Sequence, residues 1–370
     1  MFRGGCKQFL KFWAPSGLLD AYRRGRGRPS RRNFQKDDEL TQMEDNRDGK
    51  EPHSVMIKRS RMFRYDELRY YGFGLKLGVF NALRNGFGLG PKKTLGKVLQ
   101  PINSYARFPE YHFLGHYIEA YLKRFAQNEK PHILDVGSPK CFGLCLAFHH
   151  NVEIHLTDIY EPTIKEAEIL WNGIKHCAKG KAVFSIQDAR KLINLHDFDI
   201  VYSMSVIEHI EGEAADSNSI REMLRVLKPG GLLLVTVPIG QRYIEQDRIG
   251  FQGAARQTGD RNRYFFQRIY SPIAAEERII QAASDATLQR AVTISRKTGV
   301  VSKLYRHLGT NIRGALGCLN PVLSAALNDS QEGILPPPSD YGELHSYRDL
   351  YGDLMMMWEK QSAALNAPIK

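Results

Sequence analysis

The sequence predicts an α/β protein whose central sheet is mostly parallel and covered by helices on both faces. Three observations predict it. Between residues 132 and 240, short strand-like segments alternate with segments of helical period, the pattern that a parallel sheet with crossover helices requires. Several of the strand-like segments end on an acidic residue or a glycine, at Asp135-Val-Gly137, Asp158 and Asp188. Finally, Pro229-Gly230-Gly231 halts a helical period directly before the apolar run Leu232–Val237.

The elements follow in order. His132–Val136 is a short apolar strand. Val152–Asp158 alternates apolar and polar residues with period two and reads as a second. Pro162 suits the first turn of the next helix, whose face is lined by Ile164, Ala167, Trp171 and Ile174. Ala182–Gln187, Asp199–Ser203 and Leu232–Val237 give strands three to five. The helix before the fifth has capping-box spacing at Ser219 and Glu222, with Ile220, Met223, Leu224 and Leu227 on one face.

The chain has 370 residues, 42% of them hydrophobic, a globular composition that excludes wholesale disorder. Its net charge of +12 is concentrated: residues 1–36 hold ten Lys/Arg against the single acid Asp20. The run from Arg23 to Arg32 has no apolar period and repels itself, so residues 1–61 are expected to be a basic, solvated tail and linker. A nucleic-acid or membrane-surface tether and an organelle-targeting leader remain the functional alternatives for that tail. Five scattered cysteines make no disulfide framework or zinc knuckle, no metal site is expected, and a reducing, cytoplasmic setting fits. No apolar run approaches the roughly 20 residues that a spanning helix needs.

Residues 62–130 are expected to form a helical extension packed on the core. Phe73, Phe80 and Phe87 recur every seven positions between Lys76, Arg84, Lys92 and Lys93, until Gly86, Gly88, Gly90 and Pro91 break the period. The pattern suits one buried helix face, and also a basic aromatic surface for an acidic ligand.

In an open parallel sheet, ligands bind at the carboxyl ends of the strands. Asp158 lies at the distance from Asp135 at which an acid ending a second strand meets a ribose, or else it caps the following helix. Asp188 can accept from an adenine amino group with Ala189 beside it, or form a turn. No G-x-G-x-x-G follows the first strand, which argues against a nicotinamide dehydrogenase.

The order Ile133-Leu-Asp-Val-Gly137, Leu156-Thr-Asp158, Gln187-Asp-Ala189, Phe198-Asp-Ile-Val201, Val206-Ile-Glu-His209 and Leu227-Lys-Pro-Gly-Gly231 resembles the class I S-adenosylmethionine-dependent methyltransferases, most closely their small-molecule branch. The resemblance implies a Rossmann-like, seven-stranded sheet with one antiparallel strand, over a core of 131–298. Leu288–Ser295 and an edge strand at Asp353–Trp358 are the candidates for the last two strands, the second within an insertion and C-terminal segment at 299–370. It implies S-adenosylmethionine as cofactor, held by Asp135, Gly137, Ser138 and Pro139 at its methionine end, by Asp158 and Ile159 at the ribose, by Asp188 and Ala189 at the adenine, and by Ser203 near the sulfonium. The family's D-x-G-x-G-x-G is altered here, with Pro139 and Cys141 in place of the second and third glycines. Pro fixes φ and removes a donor, so the loop departs from the usual cradle, with Gly143 as a possible source of flexibility.

His209 is the candidate general base, with Glu208 beside it, because imidazole titrates near neutral pH. A helix-start histidine bonded to Glu208 or to backbone is the structural alternative. The expected acceptor is a small molecule such as a saccharide or secondary metabolite, walled by Gln241–Tyr243 and Arg263–Arg268. A scaffold without catalysis is the second reading, which Pro139 and Cys141 would explain. RNA methylation is the third, disfavoured by the core's excess of acids, 14 against 10 basic residues in 131–240.

Overall fold

The computed structural model describes residues 65–84, 107–249, 257–258, 263–296, 323–324, 327–334 and 352–361. The basic tail, the side chains of Phe80 and Phe87, and Lys92 and Lys93 lie outside the described residues.

Two helices precede the sheet, α1 (Tyr65–Arg84) and α2 (Arg107–Leu122). Then β1 (His132–Val136), α3 (Lys140–His149), β2 (Glu153–Asp158), α4 (Glu161–Ile174), β3 (Lys181–Ile186), β4 (Phe198–Met204), α5 (Ala215–Val226) and β5 (Leu227–Ile239) alternate as the periods predict. Pro162 sits in the first turn of α4, where its missing N–H costs nothing. A three-stranded sheet follows, with β8 (Arg263–Ile269) between β6 (Ile244–Ile249) and β7 (Gln257–Thr258). The short helix α6 (Pro272–Ala275) leads on to β9 (Ala286–Arg296), β10 (Asn328–Glu332) and β11 (Gly352–Lys360).

The main sheet has eight strands in the order β10-β9-β11-β5-β4-β1-β2-β3. Alternation along β1 and β4 divides the core between the two faces. Ile133, Ile200 and Tyr202 pack under α1 to α4 with Tyr70, Leu114, Phe142 and Trp171. Leu134, Val136 and Val201 pack under α5 and the helical turns at 272–283, with Ile220, Met223 and Ile279. Of the aromatic period in the extension, Phe73 is buried and its ring lies 5.4 Å from that of Phe148.

The sheet departs from the sequence expectation in three ways. It has eight strands, not seven, and both β10 and β11 run antiparallel to their neighbours. The segment read as an edge strand is interior, β11 pairing with β5 on one side and β9 on the other, and β10 takes the edge. The reason is legible in composition: Leu354, Met355, Met356 and Trp358 are buried on both faces, whereas β10 is Asn-Asp-Ser-Gln-Glu. Ser219 is no helix cap. It lies inside α5, and its hydroxyl donates to the Ala215 carbonyl at 2.7 Å.

Gly143 supplies closeness, not flexibility. It sits mid-way along α3, and a Cβ there would lie 2.4 Å from Leu156 Cδ2 and 2.8 Å from the Tyr202 hydroxyl. That hydroxyl is itself held by Asp135 at 2.7 Å. Gly143→Ala sets two effects against each other, a helix-propensity gain of about 1 kcal/mol and an overpacking cost of about 1–3 kcal/mol. Because the obstructing atoms are buried and bonded, a net loss is expected in urea unfolding, and a net gain would show that α3 can lift from the sheet.

Candidate functional site

The carboxyl ends of β1, β2, β4 and β5 lie side by side in the sheet order, and the chemistry-bearing residues gather there in two groups.

The first is built around β1. Asp135 is fully buried, and its carboxylate accepts from the Ser138 backbone N–H at 3.0 Å, the Lys140 ammonium at 2.6 Å and the Tyr202 hydroxyl at 2.7 Å. Burial raises its pKa, while the ion pair with Lys140 and the hydroxyl of Tyr202 pull it back. Gly137 turns the chain with φ +71°, and a Cβ there would lie 2.6 Å from Val206 Cγ1, so the position requires glycine. Ser138 is buried and its hydroxyl accepts from the Met204 N–H at 2.9 Å. Ser203 is buried too, donating to the Val136 carbonyl at 3.0 Å. Pro139 stands at the N-cap of α3 in extended conformation, where its ring is tolerated.

Beside this hub Asp158 ends β2, partly exposed. Its Oδ1 accepts from the Tyr160 N–H at 2.9 Å, and its Oδ2 lies 3.9 Å from Lys140 Nζ. Ile159 and Tyr160, half or more exposed, leave apolar surface next to the carboxylate. Asp188, after β3, is gripped by Arg190, whose Nη2 donates to Oδ2 at 2.6 Å and whose Nε donates to Oδ1 at 3.0 Å. The pair holds the Asp188 carboxyl below its usual range. Ala189 packs against the α5 side of the core.

The second group lies over the ends of β4 and β5. Glu110, in the first turn of α2, is buried, and its Oε1 accepts from the hydroxyls of Ser205 and Thr236, each at 2.5 Å. Arg107 donates to its other oxygen at 3.0 Å. Ser205 follows β4 with φ +48°, a conformation that a non-glycine residue holds only where surrounding contacts fix it. Its N–H donates to the Thr236 hydroxyl at 3.0 Å. Next comes Glu208, 2% exposed, with Oε2 lacking a hydrogen-bond partner among the described residues. Burial pushes its pKa up to about 8, Glu110 and Asp353 add to the rise, and Arg107 opposes it. His209 is exposed, and its Nδ1 lies 2.6 Å from the Phe266 carbonyl. A carbonyl only accepts, so Nδ1 carries the proton. Nε2 then accepts in the neutral ring, 3.6 Å from Glu208 Oε1.

Comparison with known proteins bears on this arrangement. No curated protein matches the chain. Among solved structures it is similar to an S-adenosylmethionine-dependent methyltransferase from Methanosarcina mazei, at 17% identity and TM-score 0.41 over 66% of this chain and 97% of the other. It is similar to one from Clostridium acetobutylicum at 9% and 0.40, over 77% and 100%. A Haemonchus contortus phosphoethanolamine N-methyltransferase 2, in complex with S-adenosylmethionine, is similar at 15% and 0.35, over 67% and 53%. Residues 134–235, which hold both groups apart from α2 and Thr236, match the family model described as a methyltransferase domain. These residues form a methyltransferase domain.

S-adenosylmethionine is the cofactor that the sequence resemblance implies for such a domain, and its nucleoside end is the part that the strand-end residues suit by their chemistry. Asp158 uses Oδ1 for the Tyr160 N–H, so Oδ2 takes no part in that bond, and it stands beside the exposed Ile159. The glycine loop differs from the sequence expectation. Asp135, Ser138 and Ser203 are spent on internal hydrogen bonds, because a buried polar group must find a partner within the protein. Arg190 already occupies both oxygens of Asp188.

Sequence reading missed Lys140, Arg107, Glu110 and Thr236. Lys140 was visible as a cation within the altered glycine motif, and Glu110 as an acid inside the aromatic run Phe108–Phe113. The expected acceptor-wall residue Arg268 is instead a buried brace, donating to the carbonyls of Ile210 at 2.6 Å and Gly212 at 2.5 Å. Tyr111 and Tyr202 are core residues, as is Phe113. Cys141 and Cys145 take part in no disulfide, whereas Cys177 is disulfide-bonded. Among the described residues no helix is long and apolar enough to cross a membrane.

Glu208 makes stability depend on pH in a definite sense. Below about pH 4.5 its carboxyl is protonated in both folded and unfolded chains; between there and about 8 the unfolded chain ionises first, so stability falls as pH rises. Glu208→Gln removes this term. Relative to the parent, the variant is expected to gain on the order of 3–5 kcal/mol between pH 4.5 and 8.5. Urea melts at the two pH values measure it, and a pH-independent difference would refute the burial of an unpaired carboxyl.

Proposed function

We propose that the chain transfers the methyl group of S-adenosylmethionine to a small-molecule acceptor, such as a saccharide or secondary metabolite, seated over the ends of β4 and β5. The observation that carries this reading is Glu208, a buried carboxyl at the turn after β4 with an oxygen lacking a hydrogen-bond partner among the described residues, whose elevated pKa makes it a stronger base than an ordinary carboxylate. Bound S-adenosylmethionine supplies the electrophilic methyl and its own leaving group. The protein holds the acceptor in line, excludes water and removes one proton.

Glu208 takes that proton through Oε2. His209 Nε2 then passes it to solvent, since the bond from Nδ1 to Phe266 fixes the ring with its accepting nitrogen on the Glu208 side. The bonds from Glu110 to Ser205 and Thr236 set the shape of the floor on which the acceptor rests, and Arg107 keeps the neighbouring carboxylate charge from rising unopposed. In this reading His209 is a relay and not the primary base, a change from its expected role that burial dictates.

The scaffold reading draws on one observation, the internal saturation of Asp135 within a loop that has lost its glycines. Calorimetry of the full chain with S-adenosylmethionine separates the two. Binding in the micromolar range supports the enzyme reading, and no binding by folded protein supports the scaffold. Asp158→Ala is expected to weaken that binding by about 1.5–3 kcal/mol, the worth of a hydrogen bond to a charged group; unchanged affinity would remove Asp158 from the ribose.

Once an acceptor is found by screening, Glu208→Gln should lower the rate by roughly 10²–10⁴ while cofactor affinity stays the same. In the parent enzyme kcat/KM should climb with pH through a midpoint near about 8 and level off above it. A rate indifferent to Glu208→Gln would leave catalysis to proximity alone.

A further inference from the structure

We propose that Lys140 reads the cofactor's ribose, acting with Asp158 as a donor and acceptor pair that grips one ribose hydroxyl from both sides. The proposal rests on the assignment of the nucleoside to the end of β2. Its own ground is geometric.

Lys140 opens α3, and its side chain runs back into the sheet, where only 6% of its surface stays open. An ammonium has three N–H donors. One meets Asp135 Oδ1 at 2.6 Å and one meets the Thr157 carbonyl at 2.7 Å. Thr157 immediately precedes Asp158, so these two bonds hold Nζ beside the end of β2 and leave one donor to spend. Asp158 Oδ2 lies 3.9 Å from Nζ, too far for a hydrogen bond and close to the span of a single hydroxyl that accepts from one group and donates to the other.

A ribose hydroxyl has both capacities. Set between the two groups, it accepts from Lys140 and donates to Asp158. Asp135 takes most of the charge of Lys140 at 2.6 Å, so the looser ion pair to Asp158 rests at 3.9 Å and leaves the gap open. The loop that lost backbone freedom to Pro139 thus gains, one residue later, a side-chain donor fixed at two points. Lys140 is in this sense a positioning and specificity residue, one that distinguishes ribose from deoxyribose. It takes no part in the chemistry of methyl transfer.

The test is a cycle of protein and ligand changes read by calorimetry, with S-adenosylhomocysteine and its 2′-deoxy and 3′-deoxy analogues as probes on the full chain. In the parent protein, loss of the gripped hydroxyl should weaken binding about 10- to 100-fold. In Lys140→Met the same deletion should cost threefold or less, because one of the hydroxyl's two partners is gone, and the parent compound should itself bind more weakly. Should Lys140→Met fail to fold, Lys140→Gln carries the same comparison, since its shorter side chain keeps a donor for Asp135 and falls short of the gap. Discrimination between ribose and both deoxyriboses that survives in the folded variant overturns the proposal and leaves Lys140 as a brace for Asp135. No binding of S-adenosylhomocysteine by the folded parent overturns the cofactor assignment, and the proposal with it.

Discussion

The Asp135 carboxylate is the constraint on which the rest of the site depends. A charge without exposure to solvent survives only when its partners replace the water it lost. Here the replacements come from the turn after β1, from α3 and from β4, and Lys140 extends the cluster to β2 through the Thr157 carbonyl. One side chain thereby registers three adjacent strands and the helix that covers them. Tyr202 shows the coupling well. Its hydroxyl satisfies Asp135 and also limits how large a residue can stand at position 143, so electrostatics and packing are met by the same atom.

The two strand-end groups differ in how they treat charge. Around β1 the carboxylate is fully answered, by a cation and two further donors. Over β4 and β5, Glu110 is answered by Arg107 and two hydroxyls, and Glu208 keeps an oxygen with no hydrogen-bond partner among the described residues. A protein that satisfies one buried acid so thoroughly and leaves its neighbour unsatisfied concentrates its chemical potential at the second. Such concentration of perturbed carboxylates marks working sites more often than structural ones.

Much of the fold was legible because parallel sheets write a clear signature: β1 to β4 appear in the sequence close to their observed limits, whereas α5 ends at Val226 and β5 begins at Leu227, so that Pro229-Gly230-Gly231, read as the helix stop, lies within the strand. The place of β11 was not, because a strand's neighbours are fixed by tertiary pairing, though its unbroken Leu-Met-Met-Met-Trp run already carried the mark of burial on both faces. Asp158 and Glu208 were legible from position relative to strand ends. The partners of Asp135 were not, since Lys140 and Tyr202 meet it only once β1, α3 and β4 have assembled. Glu110 belongs to the same class, as it reaches Thr236 across a long span of sequence, and nothing in a helical aromatic run says that its one acid will turn inward.

The interior position of β11 has a consequence for synthesis on the ribosome. Strands β1 to β5 emerge consecutively and can pair as they appear. β9 cannot join them, because its only route into the sheet is through β11, which is translated after it. Until then the exposed edge of β5 is a long apolar ribbon ready to accept any strand offered to it, its own or another chain's. Completion of the sheet is thus a late, non-local event. Nascent chains stalled between β5 and β11 are the population that a chaperone has most reason to hold.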